Sequence, residues 1–584
     1  MNSILLDSLP IWTTAQAQKT SNRGISASNQ QLLGIQKLRE LILELAVRGK
    51  LVPQDLNDEP ASELLKNIED ERKKRIKDGT VKKKEVLPEI VEKDKTFQIP
   101  EKWEWTRLGH VCEIIRGITF SANEKSKTPE FGRVACLRTT NVQNTIEWED
   151  LLYIRELFVK REDQFIREND IVMSMANSRE LVGKVAIVDK MPTDKTTFGG
   201  FLGVLRPLII NPFYLMLLLR VPTNRDSLID SASQTTNIAN ISLAKLYPMC
   251  FGIPPLTEQN RIVERVYELM TLCDELEKEQ TNSNRAHEVL VEVQLSTLTD
   301  AKNSDDFKEA WQRVAGCFDM LFTTEHSIDK LKQSILQLAV MGKLVSQDPT
   351  DEPASELLKK ISKEKARLVK EGKIKKQAAL PEVSEEEKPF ELPNGWEWAK
   401  LGNIGIGATG KTPSTSVQSF FDGDIPFVGP GQIIPTGEII EPDKFLSEQG
   451  TLQSTIAIKG DILMVCIGGS IGKSAIVKEQ LTFNQQLNSI RPLIIGTNYV
   501  YLAINSPQFQ LSILEKATGS ATPIINRRKW EELLIPIPPM KEQIFIVSKI
   551  EELFVLCDSL KEEIRKTQEI QNVLAEEIVK RVVN

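Results

Sequence analysis

Residues Leu43–Lys66 read LELAVRGKLVPQDLNDEPASELLK, and residues Leu336–Lys359 read LQLAVMGKLVSQDPTDEPASELLK. Nineteen of these 24 positions are identical, at a constant offset of 293 residues. The same offset carries the Trp-Glu-Trp sequence of Trp103–Trp105 onto Trp396–Trp398. Because self-similarity at a fixed period is the signature of an internal repeat, the chain contains a duplicated segment.

A second repeated segment closes each half of the chain. IPPLTEQ at Ile253–Gln259 recurs as IPPMKEQ at Ile537–Gln543, at an offset of 284 residues. Between these similar borders lie two dissimilar stretches, roughly Trp103–Cys250 and Trp396–Leu534. The chain is therefore predicted to carry two unlike modules in one repeated frame.

The frame is predicted to be helical. Apolar residues near the C-terminus follow alternating steps of four and three, which is typical of a coiled-coil seam. They are Ile546, Ile550, Leu553, Cys557, Leu560, Ile564, Leu574 and Ile578, with Thr567 and Gln571 as polar interruptions of the seam. A weaker seam follows the first module at Ile262, Val266, Leu269, Cys273, Leu276 and Leu290. The helices that precede Gly49 and Gly342 are predicted to pack against these seams in antiparallel orientation. Lys- and Glu-rich arms then lead into each module.

The modules contain short β-type runs, such as Asp170–Met173 and Asp461–Val465, between Gly, Pro, Thr, Ser and Asn. The fold class predicted is α+β, with two mixed, strand-rich domains separated by long antiparallel helices that form a coiled-coil frame with an internal pseudo-repeat. The predicted boundaries are a helical region and arm at 1–96, the first module at 97–253, a central helical region and arm at 254–389, the second module at 390–537, and a C-terminal helix at 538–584.

Composition narrows the class of protein. No stretch approaches the ~20 apolar residues that span a bilayer, and the N-terminus lacks the basic flank of a signal peptide. The seven cysteines are scattered and the three histidines lack partner ligands, so we expect neither a disulfide framework nor a metal site. These features predict a cytoplasmic protein without a membrane partner.

The net charge of −7 is unusual for a protein that binds nucleic acid. Residues 103–250 hold 18 Lys/Arg against 17 Asp/Glu, and residues 396–534 hold 11 against 12. The modules are thus nearly neutral, and the negative charge lies in the frame. We expect a lone module to bind DNA weakly, and a partner to supply much of the contact with phosphates.

The sequence offers two catalytic hypotheses. Gly405–Thr412 fits the phosphate-binding pattern GxxxxGKT, but the segment before it is too polar for a buried strand and Pro413 follows it. An adenine methyltransferase would need a glycine-rich cofactor loop and an Asn/Asp-Pro-Pro-aromatic stretch, and the sequence has neither. Binding without catalysis is favoured, with no metal or cofactor in this chain. A nucleotide-binding protein remains an alternative.

Candidate DNA contacts lie in the polar loops of the modules, because Arg and Lys pair with guanine, Asn and Gln pair with adenine, and hydroxyl groups hold phosphates. In the first module they are Arg116, Arg138, Thr139, Asn141, Asn177, Arg179, Lys184, Thr235, Thr236 and Asn237. In the second module they are Lys411, Thr412, Gln432, Ser470, Lys473, Gln485, Gln486, Thr518, Ser520 and Arg527. Ordinary polar turns would contain the same residue types.

The repeated stretch at Leu43–Lys66, the paired Trp-Glu-Trp openings and the Ile-Pro-Pro…Glu-Gln closings resemble the frame of type I restriction–modification specificity subunits, of the subgroup with a long N-terminal conserved region. Within the modules, Asp170–Met173 with Gly183-Lys184, and Asp461–Met464 with Gly472-Lys473, resemble pieces of target recognition domains. The resemblance covers nearly the whole chain.

The resemblance implies two target recognition domains, each of which reads one half of a split, asymmetric site in double-stranded DNA. It implies two methyltransferase subunits that use S-adenosylmethionine, and two restriction subunits that use ATP and Mg. The chemistry would then belong to those partners and not to this chain. A coiled-coil scaffold for protein partners, without a role in DNA binding, stays open as an alternative.

Overall fold

The computed structural model describes residues 8–15, 17–18, 30–79, 86–179, 181–191, 193, 195–231, 233–234, 239–376, 378–519 and 521–583. The chain divides into two compact units. The first comprises Met1–Asn282 with Gln568–Asn584, and the second comprises Ser283–Thr567. Each unit thus contains one copy of the repeated frame and one of the two modules.

The first unit contains the helices and strands that precede residue 283, together with the end of the last helix. Its helices are α1 (Leu9–Thr14), α2 (Leu33–Val47), α3 (Ala61–Lys77), α4 (Leu108–Val111), α5 (Pro212–Arg220), α6 (Pro222–Ser231), α7 (Leu243–Leu246) and the first part of α8 (Leu256–Thr299). Its strands are β1 (Ala17–Gln18), β2 (Gln30–Gln31), β3 (Glu104–Arg107), β4 (Cys112–Arg116), β5 (Arg133–Leu137), β6 (Leu152–Arg155), β7 (Ile171–Ser174), β8 (Ala176–Asn177), β9 (Val185–Ile187), β10 (Thr196–Phe198), β11 (Leu202–Pro207), β12 (Ser233–Gln234), β13 (Ala239–Asn240) and β14 (Cys250–Ile253).

The second unit contains the remaining helices and strands, between residues 283 and 567. Its helices are α9 (Ser304–Gly316), α10 (Phe318–Leu321), α11 (Glu325–Val340), α12 (Ala354–Lys370), α13 (Glu448–Thr451), α14 (Thr497–Ile504), α15 (Pro507–Lys516), α16 (Arg527–Glu531) and most of α17 (Met540–Val583). Its strands are β15 (Glu397–Lys400), β16 (Gly405–Thr409), β17 (Ile425–Val428), β18 (Phe445–Leu446), β19 (Thr455–Ala457), β20 (Ile462–Val465), β21 (Ser474–Ile476), β22 (Leu481–Phe483), β23 (Leu487–Pro492) and β24 (Leu534–Ile537).

The repeated stretch folds into a helix that ends at a glycine. Gly49 after α2 has φ 66°, and Gly342 after α11 has φ 69°. The next amide then closes the helix end, because Lys50 donates to the Leu45 carbonyl at 3.0 Å and its repeat makes the same bond. Glycine adopts this left-handed backbone without a steric penalty, so the Gly-Lys pair of each copy marks a helix end.

Charged pairs hold the frame helices together inside each unit. In the first unit, Arg39 of α2 contacts Asp274 of α8 at 2.7 Å. In the second, the repeat places Lys332 of α11 against Asp558 of α17. Lys561, one turn after Asp558, contacts Asp329, one turn before Lys332, at 2.8 Å. Helices α11 and α17 therefore run antiparallel, as the sequence predicted.

The seam follows the predicted heptads and then drifts away from them. Ile546, Ile550 and Cys557 are buried as predicted. The predictions for Leu574 and Leu290 are wrong, because both side chains are exposed and the following residues, Ala575 and Val291, are buried instead. An α-helix has 3.6 residues per turn, so its buried face rotates by about 20° per heptad against a strict 3.5-residue repeat.

The modules share the arrangement of seven strands although their sequences are unlike, and β19 adds a fourth strand to the second sheet of the second module. In the first module, the sheets have the orders β4-β11-β7-β9 and β10-β5-β6; in the second, the orders are β16-β23-β20-β21 and β18-β17-β22-β19. The first sheet of each pair is antiparallel throughout. The second sheet of each pair contains one parallel pairing, β10 with β5 and β22 with β17. The α+β prediction of two strand-rich domains with long helices is thus confirmed.

Strand β7 explains why the runs in each module are continuously apolar. Ile171 and Met173 pack in the cluster that contains helix α5, whereas Val172 packs in a second cluster with residues of the other sheet. Successive strand residues point to opposite faces, so a strand buried on both faces needs apolar residues at every position. Asp170, just before the strand, accepts two hydrogen bonds from the buried Arg206 at 2.8 and 2.7 Å.

Within the described part of the chain, no helix is long and apolar enough to cross a bilayer.

Candidate nucleic-acid interface

In the first module, three chain segments meet where strands of the two sheets end. These are 116–119 after β4, 138–143 after β5, and the turn 199–201 between β10 and β11; together we call them the first face. The Ile118 amide donates to the Phe198 carbonyl at 2.9 Å, and the Gly199 amide donates to Leu137 at 3.0 Å. These main-chain bonds join the segments into one surface.

Three of the predicted contacts lie on the first face. Arg116 is exposed at the end of β4. Arg138 forms an ion pair with Asp150 at 2.6 Å. Thr139 lines a cleft of about 470 Å³ together with Thr119 and other residues of the face. The Arg138 guanidinium, paired with Asp150, and the hydroxyl groups of Thr119 and Thr139 thus line one cleft, and these are the types of group that contact bases and phosphates.

Asn141 does not belong to the exposed set, so its prediction is corrected. Its side chain is 3% exposed. Its amide nitrogen donates to the carbonyls of Glu147 and Glu149 at 3.0 and 3.1 Å, and its oxygen accepts from the Arg138 amide at 2.9 Å. With both ends of the amide engaged inside the protein, Asn141 shapes the loop that presents Arg138.

The remaining predicted residues of the first module lie beside the face. Asn177 ends β8 and is half-buried, and Arg179 pairs with Asp230 at 3.1 Å. The Lys184 ammonium donates to the Gln143 side chain at 3.0 Å. This segment joins the face because the Met175 amide donates to the Phe201 carbonyl at 2.8 Å. Thr235, Thr236 and Asn237 lie outside the described residues.

The second module presents a matching surface, the second face, formed by segments 410–412, 429–432 and 484–486. Lys411, Gln485 and Gln486 are exposed there. The Thr412 hydroxyl donates to the Gln485 side chain. Gln432 is half-buried, and its side-chain oxygen accepts from the Gly429 amide at 3.0 Å. The structure thus brings together all five predicted residues of these segments.

The other predicted residues of the second module divide into two groups. Ser470 and Lys473 lie in a loop that joins the face, because the Cys466 amide donates to the Gln486 carbonyl at 2.9 Å. Thr518 is exposed and pairs through its backbone with Ile524. Arg527 instead forms an ion pair with Glu531 at 3.4 Å and donates to the carbonyl of Gly407 in β16. Ser520 lies outside the described residues.

The nucleotide-binding alternative is wrong on geometry. Gly405–Thr409 of the GxxxxGKT match form strand β16 itself, where the pattern requires a loop. The Gly410 and Lys411 amides donate to the carbonyls of Leu487 and Phe483, both at 3.0 Å. A phosphate loop needs such amides free and a helix directly after them. Only a short 3-10 turn follows, at Gln418–Phe421.

The two buried thiols near the faces are protonated. Burial raises the pKa of the Cys136 thiol to about 12 and that of Cys466 to about 11, so neither is a thiolate nucleophile at neutral pH. Among the residues that the structure describes, no cluster of three or more His, Cys, Asp or Glu could hold a metal ion.

Sequence reasoning missed Phe201, which is 66% exposed at the first face. The available signal is an alignment of Phe198–Pro207 (FGGFLGVLRP) with Phe483–Pro492 (FNQQLNSIRP). In this alignment Phe201 corresponds to Gln486, which is one of the predicted contacts. An apolar residue is normally assigned to the core, and all the predicted contacts have polar side chains, so Phe201 was not among them.

Comparisons with known proteins place the chain in a family. The model of the type I restriction modification DNA specificity domain matches residues 100–284 and 393–572. The EcoAI specificity subunit of Escherichia coli is 37% identical over 614 residues and covers 100% of both chains. The EcoEI specificity subunit, also from Escherichia coli, is 37% identical over 606 residues with the same full coverage.

Solved structures are more distant. A chain from a study of complex assembly and conformational transition of the type I R-M system is 18% identical, with a TM-score of 0.44 over 84% of this chain and 99% of that one. The HsdS subunit of Thermoanaerobacter tengcongensis is 17% identical, with a TM-score of 0.37 over 84% and 98%. Because both TM-scores are below 0.5, the assignment rests on the family model and the sequence relatives. The chain belongs to the family of type I restriction–modification specificity subunits, which confer DNA specificity on such systems.

Proposed function

We propose that the two modules read the two halves of a split, asymmetric DNA site, each through its own face. The modules are proposed to occupy residues 97–253 and 390–537. The observation that supports this is the combination of a shared arrangement of seven strands with unlike loop residues. A common scaffold with variable loops is the expected design of a reader whose target changes while its assembly does not.

We further propose that two methyltransferase subunits dock on the frame and methylate adenine with S-adenosylmethionine. Two restriction subunits would join them and use ATP and Mg. The duplicated frame supports two methyltransferase subunits per chain, because a surface that is present twice can bind two copies of one partner. This chain is a non-catalytic subunit of the family, so the reactions are assigned to the partners.

The charge balance and the cysteines fit the same proposal. Both modules are nearly neutral, so a partner would supply many of the phosphate contacts that give DNA binding its affinity. The seven cysteines are all free. Free thiols suit a reducing compartment, and we propose the cytoplasm, where chromosomal DNA is accessible. A scaffold without a DNA role would not need two unlike modules on a shared strand arrangement.

Methylome sequencing tests this function. The chain is expressed with its methyltransferase partner, and the methylated adenines are compared with those of cells that express the partner alone. We expect a bipartite motif that requires the chain. Unchanged methylation without the chain would refute the proposal.

A further inference from the structure

Each face is centred on a tight turn that connects the two sheets of its module. Residues Gly199–Leu202 link β10 to β11, and residues Asn484–Leu487 link β22 to β23. In both turns, the amide of the fourth residue donates to the carbonyl of the first, at 2.9 and 3.1 Å. This bond is the mark of a β-turn, which presents its two central residues to solvent.

The same set of main-chain hydrogen bonds holds both turns. In the first module these bonds run from Gly117 to Leu202 (3.3 Å), Ile118 to Phe198 (2.9 Å), Gly199 to Leu137 (3.0 Å) and Met175 to Phe201 (2.8 Å). In the second they run from Gly410 to Leu487 (3.0 Å), Lys411 to Phe483 (3.0 Å), Asn484 to Val428 (3.0 Å) and Cys466 to Gln486 (2.9 Å). Because these bonds use backbone atoms alone, the side chains at the tips can change while the turns stay in place.

The tips carry opposite chemistry. The first tip is Gly200-Phe201, in which the only side chain is a phenyl ring that is 66% exposed. The second tip is Gln485-Gln486, in which both side chains are exposed amides whose oxygens accept hydrogen bonds from the Thr412 hydroxyl and the Asn484 side chain. Phe198 and Phe483 are fully buried anchors at the same position, whereas Asn484, which replaces Gly199, also accepts a hydrogen bond from the Gln486 amide at 3.0 Å. The same main-chain anchoring with opposite tips is what a position that sets specificity requires.

We propose that these two turns are the specificity-determining contacts of the modules, with Phe201 packed on a thymine methyl group in one half-site and Gln485-Gln486 hydrogen-bonded to adenine in the other. This inference rests on the proposed function. In the major groove, thymine presents a C5-methyl group, and adenine presents an N7 acceptor beside an N6 donor that a glutamine amide matches. The ring and the amides therefore select different bases from the same backbone position.

Reciprocal exchange of the tips tests the proposal. One variant combines Gly200→Gln with Phe201→Gln, and the other combines Gln485→Gly with Gln486→Phe. Each variant is co-expressed with the methyltransferase partner, and the methylated motif is determined by methylome sequencing. We expect the base preference to change by roughly 5- to 100-fold at one position of one half-site, with the other half-site unchanged. An unchanged motif in both variants would overturn the proposal.

Two further variants separate specificity from folding. Phe131→Gln replaces another exposed phenylalanine, before β5 and thus at the opposite end of that strand from the turn, and should leave the motif unchanged. A Phe131 variant with the same altered motif would overturn the proposal. Phe201→Leu keeps an apolar tip and should keep the thymine preference. If the glutamine variant loses all methylation, retention of the motif by the leucine variant supports the proposal, and its loss overturns it.

The controls also distinguish this inference from the function on which it rests. If methylation of the wild-type system does not require the chain, the proposed function fails. If the motif requires the chain but ignores the tips of both turns, only the present inference fails.

Discussion

The indole nitrogen of Trp103 donates a hydrogen bond to the carboxylate of Glu258 at 3.0 Å, and both groups are buried. Trp396 repeats this bond with Glu542 at 2.9 Å. The tryptophans belong to the repeated segment that opens each module, and the glutamates belong to the segment that closes it. One hydrogen bond in each unit thus ties the entry of a module to its exit, whatever the sequence between them.

Glu258 should make stability depend on pH. Burial raises the pKa of Glu258 above its ordinary value of 4.5, and it raises the pKa of Glu542 likewise. The folded protein therefore holds the proton of Glu258 more tightly than the unfolded chain does. Relative to Glu258→Gln, the wild-type protein should gain stability as the pH falls through the raised pKa, and it should lose that advantage above it. Denaturant unfolding at a series of pH values measures the difference.

The second unit provides an independent check of this expectation. Glu542→Gln should shift the pH dependence in the same direction, because Glu542 accepts the equivalent indole hydrogen bond in an equally buried site. A difference from wild type that stays constant with pH, or that grows in the opposite direction, would contradict the assignment.

Asp170 should be far more important for stability than a surface aspartate. Asp170→Ala leaves the buried guanidinium of Arg206 without its partner, which we expect to cost about 3–5 kcal/mol of unfolding free energy. As a control, Asp230→Ala removes the exposed pair with Arg179 and should cost less than about 1 kcal/mol. Chemical unfolding of the two variants measures both losses of unfolding free energy. Equal losses would show that the buried pair has no special role.

Lys411 is predicted to contact a phosphate. Lys411→Ala should weaken binding to every duplex alike and reduce the slope of log affinity against log salt by about 0.9, the effect of one lost phosphate contact. Lys478→Ala makes the same charge change beyond the far end of β21 and should leave the slope unchanged. Titration of labelled duplexes with the assembled complex gives both slopes. Weakening on one sequence only would instead make Lys411 a base contact.

Exchange of a whole module should change half of the target. Replacing residues 390–537 by the matching module of a relative should alter one half of the methylated motif and keep the other. Each module has its own core between its sheets, around Phe198 in the first and Phe483 in the second. Changes in both halves, determined by methylome sequencing, would mean that the modules do not read independently.

The frame could be predicted well, because its signals are local. Gly49 marks a helix end through its own backbone preference, and the spacing of Ile546 and Ile550 places both on one face of a helix. The prediction of the buried seam became wrong further along the same helix. Leu574 left the seam because a small rotation accumulates turn after turn, and a fixed heptad count does not contain that rotation.

The candidate site could be predicted only in part. Gln485 and Gln486 were predicted as contacts because amides in a polar loop are typical of DNA contacts; the structure exposes both, and their contact with DNA stays a prediction. Asn141 has the same chemistry, but its partners, the carbonyls of Glu147 and Glu149, bury it. Phe201 was missed because an apolar residue between two strands normally packs inside, whereas this one lies at the tip of a turn between two sheets.

The duplication, the α+β class and the family could be inferred from the sequence alone, because a repeat is a direct match of residue types and because periodicity and helix-ending glycines are local signals. Which loop residues share a surface depends on the folded arrangement of distant segments. Gly117, Leu137 and Met175 bring three distant segments to the turn at Phe201 through main-chain hydrogen bonds. Backbone amides and carbonyls are the same at every residue, so the pairing that assembles the face leaves no residue-specific mark in the sequence.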